Sequence, residues 1–258
     1  MNKTTISPRQ LLSLMILFEF GTAIVIHVGL ESNHVAWLSI LLAIPGGIVL
    51  YLIYNYLFLQ YPNDIISGCI RSILGPFLAW PLSLAIVGYF IYNASRNLRE
   101  VGDLLIASVY DETPLLIINA AMAFVMIYVL GHGLEVLFRL AQLYLYIIVI
   151  FGGIIVIVVL FSGEVDLRSA MPYGMEDWVT SIRSAYSSVL MFPFGEIFCF
   201  LTVLPQLNDK RASGKTGVLA LALSGVVLAI IHGLQASMLG ESIYERSTFP
   251  LLIAVSIV

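Results

Sequence analysis

Apolar runs of about twenty residues alternate with short polar connectors along almost the whole chain. Runs of this length match the hydrocarbon core of a bilayer, whereas the strands of membrane barrels are about half as long. The pattern therefore predicts seven complete membrane-spanning helices, called spans 1 to 7 here, and the start of an eighth. Their expected cores are residues 9–30, 34–59, 76–109, 114–131, 135–161, 181–205 and 215–239, with the eighth beginning near 249.

The composition agrees with this pattern. Hydrophobic residues make up 60% of the 258 residues and charged residues 11%, whereas soluble domains carry roughly a quarter charged residues. We therefore expect an all-α polytopic membrane protein with a single transmembrane domain over residues 1–258. The two cysteines, Cys69 in an expected short loop and Cys199 inside span 6, do not suggest a disulfide framework.

The basic residues predict the orientation of the chain. If the N-terminus is cytoplasmic, seven Lys and Arg fall in inner loops and three in outer loops, with Arg96 and Arg99 inside span 3. Basic residues concentrate in cytoplasmic loops, so we expect the N-terminus inside. The inner set is Lys3, Arg9, Arg71, Arg139, Lys210, Arg211 and Lys215, and the outer set is Arg168, Arg183 and Arg246.

Two similar segments interrupt the apolar runs. Span 1 contains FEFGTAIVI at residues 18–26, and span 6 contains FPFGEIFCF at residues 192–200. Gly21 and Gly195 are 174 residues and five spans apart, so the second copy enters the membrane from the opposite side. Interrupted helices in two inverted halves are typical of binding sites in secondary transporters. The alternative is chance recurrence in a phenylalanine-rich chain.

Each segment carries a carboxylate beside its glycine. Glu19 lies near the middle of span 1, where a buried charge is costly and should face the protein interior. It is a candidate partner for a ligand ammonium or a coupling cation, or a protonatable group, and the alternative is a structural hydrogen bond. Glu196 is the corresponding candidate in span 6, either as a cap or as a cation ligand.

The glycines suggest where a ligand would meet the backbone. Gly21 and Thr22 begin the expected second half of span 1, where free amides and the helix dipole suit a carboxylate. Thr22 can instead simply cap that half-helix. At the matching break in span 6, Gly195 permits unwinding, and Phe194 either walls the site or packs in the core.

Four charged residues follow helical spacing in span 3. They can pair as Arg96 with Glu100 and as Arg99 with Asp103. One interpretation is a solvated ion-pair stripe, and the other is a gate network or a docking face for a partner. Two weaker ligand-site candidates lie one and two turns earlier on the same helix, Asn93 and Tyr89.

The chain offers no motif for other chemistry. Its four histidines lack the spacing of metal ligands, and no Walker-type or G-x-S-x-G sequence is present. We therefore expect no enzymatic activity, no cofactor or metal, and no nucleic-acid partner.

Three stretches carry a family resemblance: SPRQLLSLMILFEFGTAIV, FLAWPLSLAIVGYFIYNASRNLREVGDLL and FPFGEIFCFLTVLPQLNDKRASGK. The chain resembles the B-subunit permeases of bacterial spore germinant receptors, within the amino acid–polyamine–organocation superfamily. The resemblance implies a LeuT-type five-plus-five inverted repeat, with residues 9–161 as the first repeat and 181–258 as an incomplete second. Family members have ten spans, so seven to eight are expected here and the chain looks C-terminally truncated. Spans 1, 2, 6 and 7 should form a four-helix bundle.

The resemblance also implies a function. The protein would sit in the spore inner membrane, surrounded by lipid, and recognise a small germinant, commonly an amino acid, at the broken spans 1 and 6. Its partners would be a larger A subunit and a lipoprotein C subunit. The alternatives are an amino-acid symporter of the same superfamily and a structural remnant that binds no ligand.

Overall fold

The computed structural model describes residues 5–257, and the regular structure of these residues is helical. Short 3₁₀ segments lie between α1 and α2, between α5 and α6, and between α6 and α7, and no β-sheet forms within this range. Their bounds are α1 Pro8–Phe20, α2 Ala36–Gln60, α3 Ile66–Ser108, α4 Leu115–Gly131, α5 Leu134–Phe161, α6 Met175–Ser184, α7 Ser213–Arg246 and α8 Pro250–Ile257.

Within residues 5–257, five helical stretches are long and apolar enough to cross a membrane, and α4 is a shorter apolar helix. The expectation of an all-helical membrane protein is therefore confirmed. The five stretches are Glu31–Gln60, Ile66–Ser108, Leu134–Phe161, Met175–Thr202 and Lys210–Arg246.

The first span is a helix that stops halfway. A capping box starts α1, because the Ser7 hydroxyl accepts from the amide of Gln10 and the Gln10 side chain accepts from the amide of Ser7. The helix ends at Phe20, since Gly21 adopts φ 29° and ψ −127°, which disfavours a residue with a side chain. Residues 21–26 then form irregular turns, which we call the first break.

The sixth span is interrupted in a corresponding way. A π-helical turn follows α6 at Ala185–Val189, residues 190–193 form an irregular turn, and a 3₁₀ helix runs over Phe194–Thr202. We call residues 190–193 the second break. The predicted interruptions near Gly21 and Gly195 are both confirmed.

The two broken spans run in opposite directions. Before α1, the Ile6 amide donates to the carbonyl of Gln206 at 3.0 Å, and the Asn208 amide donates to the carbonyl of Ile6 at 3.0 Å. At the other end, the hydroxyls of Ser32 and Ser184 are 3.5 Å apart. The start of span 1 therefore lies beside the end of span 6.

The core lies between spans 1, 2, 6 and 7, as the predicted four-helix bundle requires. Helices α2 and α7 pack together, with the ring of Tyr51 against Gly217 and the Tyr51 hydroxyl donating to the carbonyl of Ser213 at 2.9 Å. In contrast, α3, α4 and α5 turn most of their large apolar side chains outward, as helices surrounded by lipid do.

The predicted start of span 3, the predicted end of span 7 and the predicted loop position of Cys69 are wrong. Helix α3 begins at Ile66, ten residues before the expected start at 76, so Cys69 is buried in a helix and not in a loop. Gly75 at φ 75° kinks α3 without ending it, and proline tolerates the first position after such a kink. Helix α7 likewise continues beyond 239 to Arg246, past a kink at Gly240.

Candidate functional site

Helix α3 passes beside the second break, and Arg96 makes the contact. Its Nη2 donates to Oε1 of Glu196 at 2.7 Å, and its Nε lies 3.3 Å from Oε1 of Glu100. The guanidinium also lies over the ring of Phe192, 4.5 Å from the centroid. A planar guanidinium can hold two carboxylates and an aromatic face at once, which a lysine ammonium does less well. The Arg96–Glu100 pair expected from helical spacing is present.

The first break joins the same group of side chains. The hydroxyl of Thr22 donates to Oε2 of Glu100 at 2.5 Å. Thr22, Glu100, Arg96 and Glu196 therefore form one connected set of polar contacts, which we call the polar chain. It links both breaks through α3, and all four residues were candidates from the sequence.

Glu19 lies next to the first break without a partner. Its side chain is 0% exposed, and neither carboxylate oxygen has a hydrogen-bond donor among residues 5–257. Phe18 packs edge-on against Phe200 at 5.3 Å, and Glu196 is near enough for the two carboxylates to interact electrostatically. A buried carboxyl group without a partner costs free energy, so Glu19 is the group here with capacity for a proton, a cation or a ligand donor.

The carbonyls freed at the first break already have donors. Nε2 of His232 lies 2.9 Å from the carbonyl oxygen of Ala23, and Nε2 of Gln235 donates to that of Ile24 at 3.2 Å. Each of these two carbonyls therefore already accepts one hydrogen bond from α7. The sequence did not reveal His232 and Gln235 as site residues, because single polar residues in an apolar run give no local signal of their partners.

The amides at the first break are more available. The amide of Gly21 still donates to Leu17, but the amides of Thr22 and Ala23 have no backbone acceptor in the described range. Residues 22–26 form only a single turn, with the amides of Val25 and Ile26 directed to the Thr22 carbonyl. The expected second half-helix with its dipole is therefore absent from residues 22–26, and any anion would meet individual amides.

The remaining sequence candidates lie outside the polar chain. Phe194 is fully buried and packs between Gly47 of α2 and Gly225 of α7, which is the core-packing alternative. Arg99 and Asp103 form their expected pair at 3.6 Å, but their side chains are 75% and 44% exposed. The last two candidates point elsewhere, since Asn93 is only half-buried and Tyr89 is 41% exposed.

Comparison with known proteins identifies the family. Residues 5–258 match the protein-family model described as "Spore germination protein". The chain belongs to the spore germination protein family. It is 33% identical to spore germination protein KB of Bacillus subtilis (strain 168) over 252 residues, which cover 98% of this chain and 68% of that relative.

A second relative is more distant. Spore germination protein YndE of the same organism is 23% identical over 215 residues, covering 77% of this chain and 59% of YndE. No solved structure matches the chain. The resemblance to germinant-receptor B subunits is confirmed, and with its apolar helices the chain is an integral protein of the spore inner membrane.

Proposed function

We propose that this protein is the ligand-sensing subunit of a germinant receptor and that its two breaks form the germinant site. The observation that carries the proposal is the polar chain from Thr22 to Glu196, which crosses between two antiparallel broken spans beside the unpaired Glu19. Such paired interruptions are typical of small-molecule sites in transporter-like folds.

The proposal includes the topology that the sequence suggested. The N-terminus is cytoplasmic, and residues 9–161 and 181–258 belong to two inverted repeats of a LeuT-type fold. The opposite directions of spans 1 and 6 support this arrangement, because inverted repeats require their first helices to cross the membrane in opposite senses.

The proposed ligand is a zwitterionic amino acid, with its ammonium on Glu19. The other carboxylate at this depth, Glu196, is already bonded to Arg96, and the carbonyls of Ala23 and Ile24 already have donors. Glu19 is the carboxylate at this depth without a donor among residues 5–257, and it is fully buried, so an ammonium there gains a charge-assisted hydrogen bond shielded from water.

The carboxylate of the ligand lies at the Thr22 end of the site. The amides of Thr22 and Ala23 and the Thr22 hydroxyl are donors there, but Glu100 occupies that hydroxyl. A ligand carboxylate therefore competes with Glu100, because two carboxylates cannot share one hydroxyl proton. Binding releases α3 from the first break, and this differential contact shifts the conformational equilibrium that the A and C subunits detect.

The test is Glu19→Gln in the full-length protein, which keeps the side-chain volume and removes the charge. Spores carrying the variant receive an equimolar mixture of the twenty protein amino acids as germinant. The half-maximal concentration should rise about 10- to 100-fold, because a hydrogen bond to a charged group contributes roughly 1–3 kcal/mol. Glu112→Gln, in an exposed loop, should leave it unchanged.

Immunoblots must show equal amounts of the subunit in both strains. An unchanged response in Glu19→Gln spores at normal abundance contradicts the assignment of Glu19. Wild-type spores that ignore the mixture contradict an amino-acid ligand, and accumulation of radiolabelled amino acid inside cells favours the symporter alternative.

A further inference from the structure

We infer that His232 on α7 is a positioning residue that holds the first break in shape through the carbonyl of Ala23, and that Tyr244 sets the tautomer of its ring. The inference rests on the proposed function only for its effect on ligand response. The positioning role itself depends on contacts between α7 and the first break, which the family resemblance did not suggest.

The hydrogen bonds around His232 have one self-consistent order. The side chain is 0% exposed, with Nε2 2.9 Å from the Ala23 carbonyl oxygen and Nδ1 2.8 Å from the Tyr244 hydroxyl. A carbonyl can only accept, so Nε2 carries the hydrogen. In a neutral ring Nδ1 then accepts, and the Tyr244 hydroxyl donates to it.

Side chains of α7 supply the hydrogen-bond donors that the backbone carbonyls lose where α1 ends. When α1 stops at Phe20, the carbonyls that follow lose their helical partners, and a buried carbonyl without a donor is destabilising. His232 and Gln235 are three residues apart on one face of α7 and supply donors to consecutive carbonyls, those of Ala23 and Ile24. The shape of the segment that carries Thr22 therefore depends on α7.

Tyr244 reaches His232 because α7 bends. Gly240 has φ 66° and ψ 167° inside the helix, and the separation of twelve positions between His232 and Tyr244 would otherwise place them about 18 Å apart along the axis. Tyr244 is fully buried, and its ring lies 4.3 Å from the ring of His27, which follows the first break. The part of α7 before the kink thus contacts the first break itself, and the part after the kink contacts the residue that follows it.

Hydrogen exchange of the purified full-length protein in lipid nanodiscs tests the positioning role without any ligand. His232→Leu removes the donor, and the amides of residues 21–28 should exchange roughly tenfold faster, as expected for a lost buried hydrogen bond. His232→Gln keeps an amide N–H that can reach the Ala23 carbonyl, so its exchange should stay close to wild type. Equal exchange in the Leu variant and wild type, or equal acceleration in both variants, overturns the positioning role.

The tautomer role has its own test, which also applies if His232→Leu fails to fold. Tyr244→Phe keeps the ring packing and should accelerate exchange of residues 21–28 several-fold in the wild-type background. In the His232→Gln background it should have no further effect, because an amide has no tautomer to set. The same acceleration in both backgrounds means that Tyr244 acts by packing alone and overturns its assigned role.

The germination response of spores distinguishes the positioning role of His232 from the proposed function. With the amino-acid mixture as probe, His232→Leu should raise the half-maximal concentration roughly tenfold at normal subunit abundance, and His232→Gln should restore it. Faster exchange of the first break with an unchanged spore response leaves the positioning role intact and contradicts the ligand site proposed at that break.

Discussion

Arg96 and Glu196 are 100 residues apart in the chain, and their side chains meet at 2.7 Å. Glu196 is 7% exposed, whereas the other carboxylate on Arg96, Glu100, is 24% exposed. The buried member gains most from the contact, since a carboxylate with little access to water needs a cation or donors to remain there. This pair therefore fixes the second break to α3.

Replacing Arg96 with Gln should destabilise the protein clearly. The change leaves Glu196 buried without its cation, which costs about 2 kcal/mol, or a fall of roughly 4–8 °C in the thermal unfolding midpoint in detergent. Arg99→Gln is the matched control on the same helix, because its pair is largely exposed and contributes between about 0 and 1 kcal/mol. Differential scanning fluorimetry measures both.

A double variant tests whether the unpaired charge of Glu196 causes the loss of stability. Adding Glu196→Gln to Arg96→Gln should recover part of the lost stability, because no unpaired charge then remains in the interior. Equal destabilisation by Arg96→Gln and Arg99→Gln, or a double variant that is worse by the sum of its parts, would show that Arg96 does not hold the second break.

Thr22→Val should raise germination in the absence of any germinant. Valine keeps the shape of threonine and removes the hydroxyl that holds Glu100, so the first break is released from α3 without a ligand. We expect the rate of germination in buffer alone to rise about 5- to 30-fold, the range of one lost hydrogen bond. Thr22→Ser keeps the hydroxyl and should remain within about threefold of wild type. A serine variant that germinates in buffer as fast as the valine variant would assign the effect to the lost methyl group.

Gly217→Ala should be among the most damaging single-methyl changes in the bundle. A Cβ at this position would overlap the buried ring of Tyr51, and that ring is held by its hydrogen bond to Ser213. The expected loss is about 1–3 kcal/mol, the usual effect of overpacking. Gly153→Ala, where a Cβ meets no atom within 4 Å, should instead be neutral or stabilise α5 by up to about 1 kcal/mol. Thermal unfolding in detergent distinguishes these outcomes.

The sequence predicted features that depend on local chemistry. The paired glycines and carboxylates indicated both breaks, the length of apolar runs indicated the helices, and i,i+4 spacing indicated the Arg96–Glu100 pair. Each break, each apolar run and the ion pair is indicated within one continuous segment of the chain. The kink at Gly75 was the local exception, because a Gly-Pro pair suits both a kink and a helix start.

Contacts between helices that are distant in the chain could not be predicted from the sequence. Glu100 was expected to pair only along its helix, yet it also accepts from Thr22, 78 residues earlier. His232 looked like an isolated histidine, because its partners Ala23 and Tyr244 depend on how α7 lies against the first break and bends at Gly240. Such contacts are set by the rotation and depth of whole helices, which no short pattern reports.

Any rearrangement that parts the start of span 1 from the end of span 6 must break the pairing of Ile6 with the segment after span 6. Its two backbone hydrogen bonds contribute roughly 1 kcal/mol each. Burial of the Ile6 side chain, which is 1% exposed, adds about 2 kcal/mol. A total near 4 kcal/mol leaves about one molecule in a thousand with these ends apart at any moment. A germinant must prefer the separated form about a thousandfold to make the two populations equal. In the proposed receptor this junction would keep the paired form dominant without a germinant, and substitution of Ile6 would change the germinant concentration that is needed.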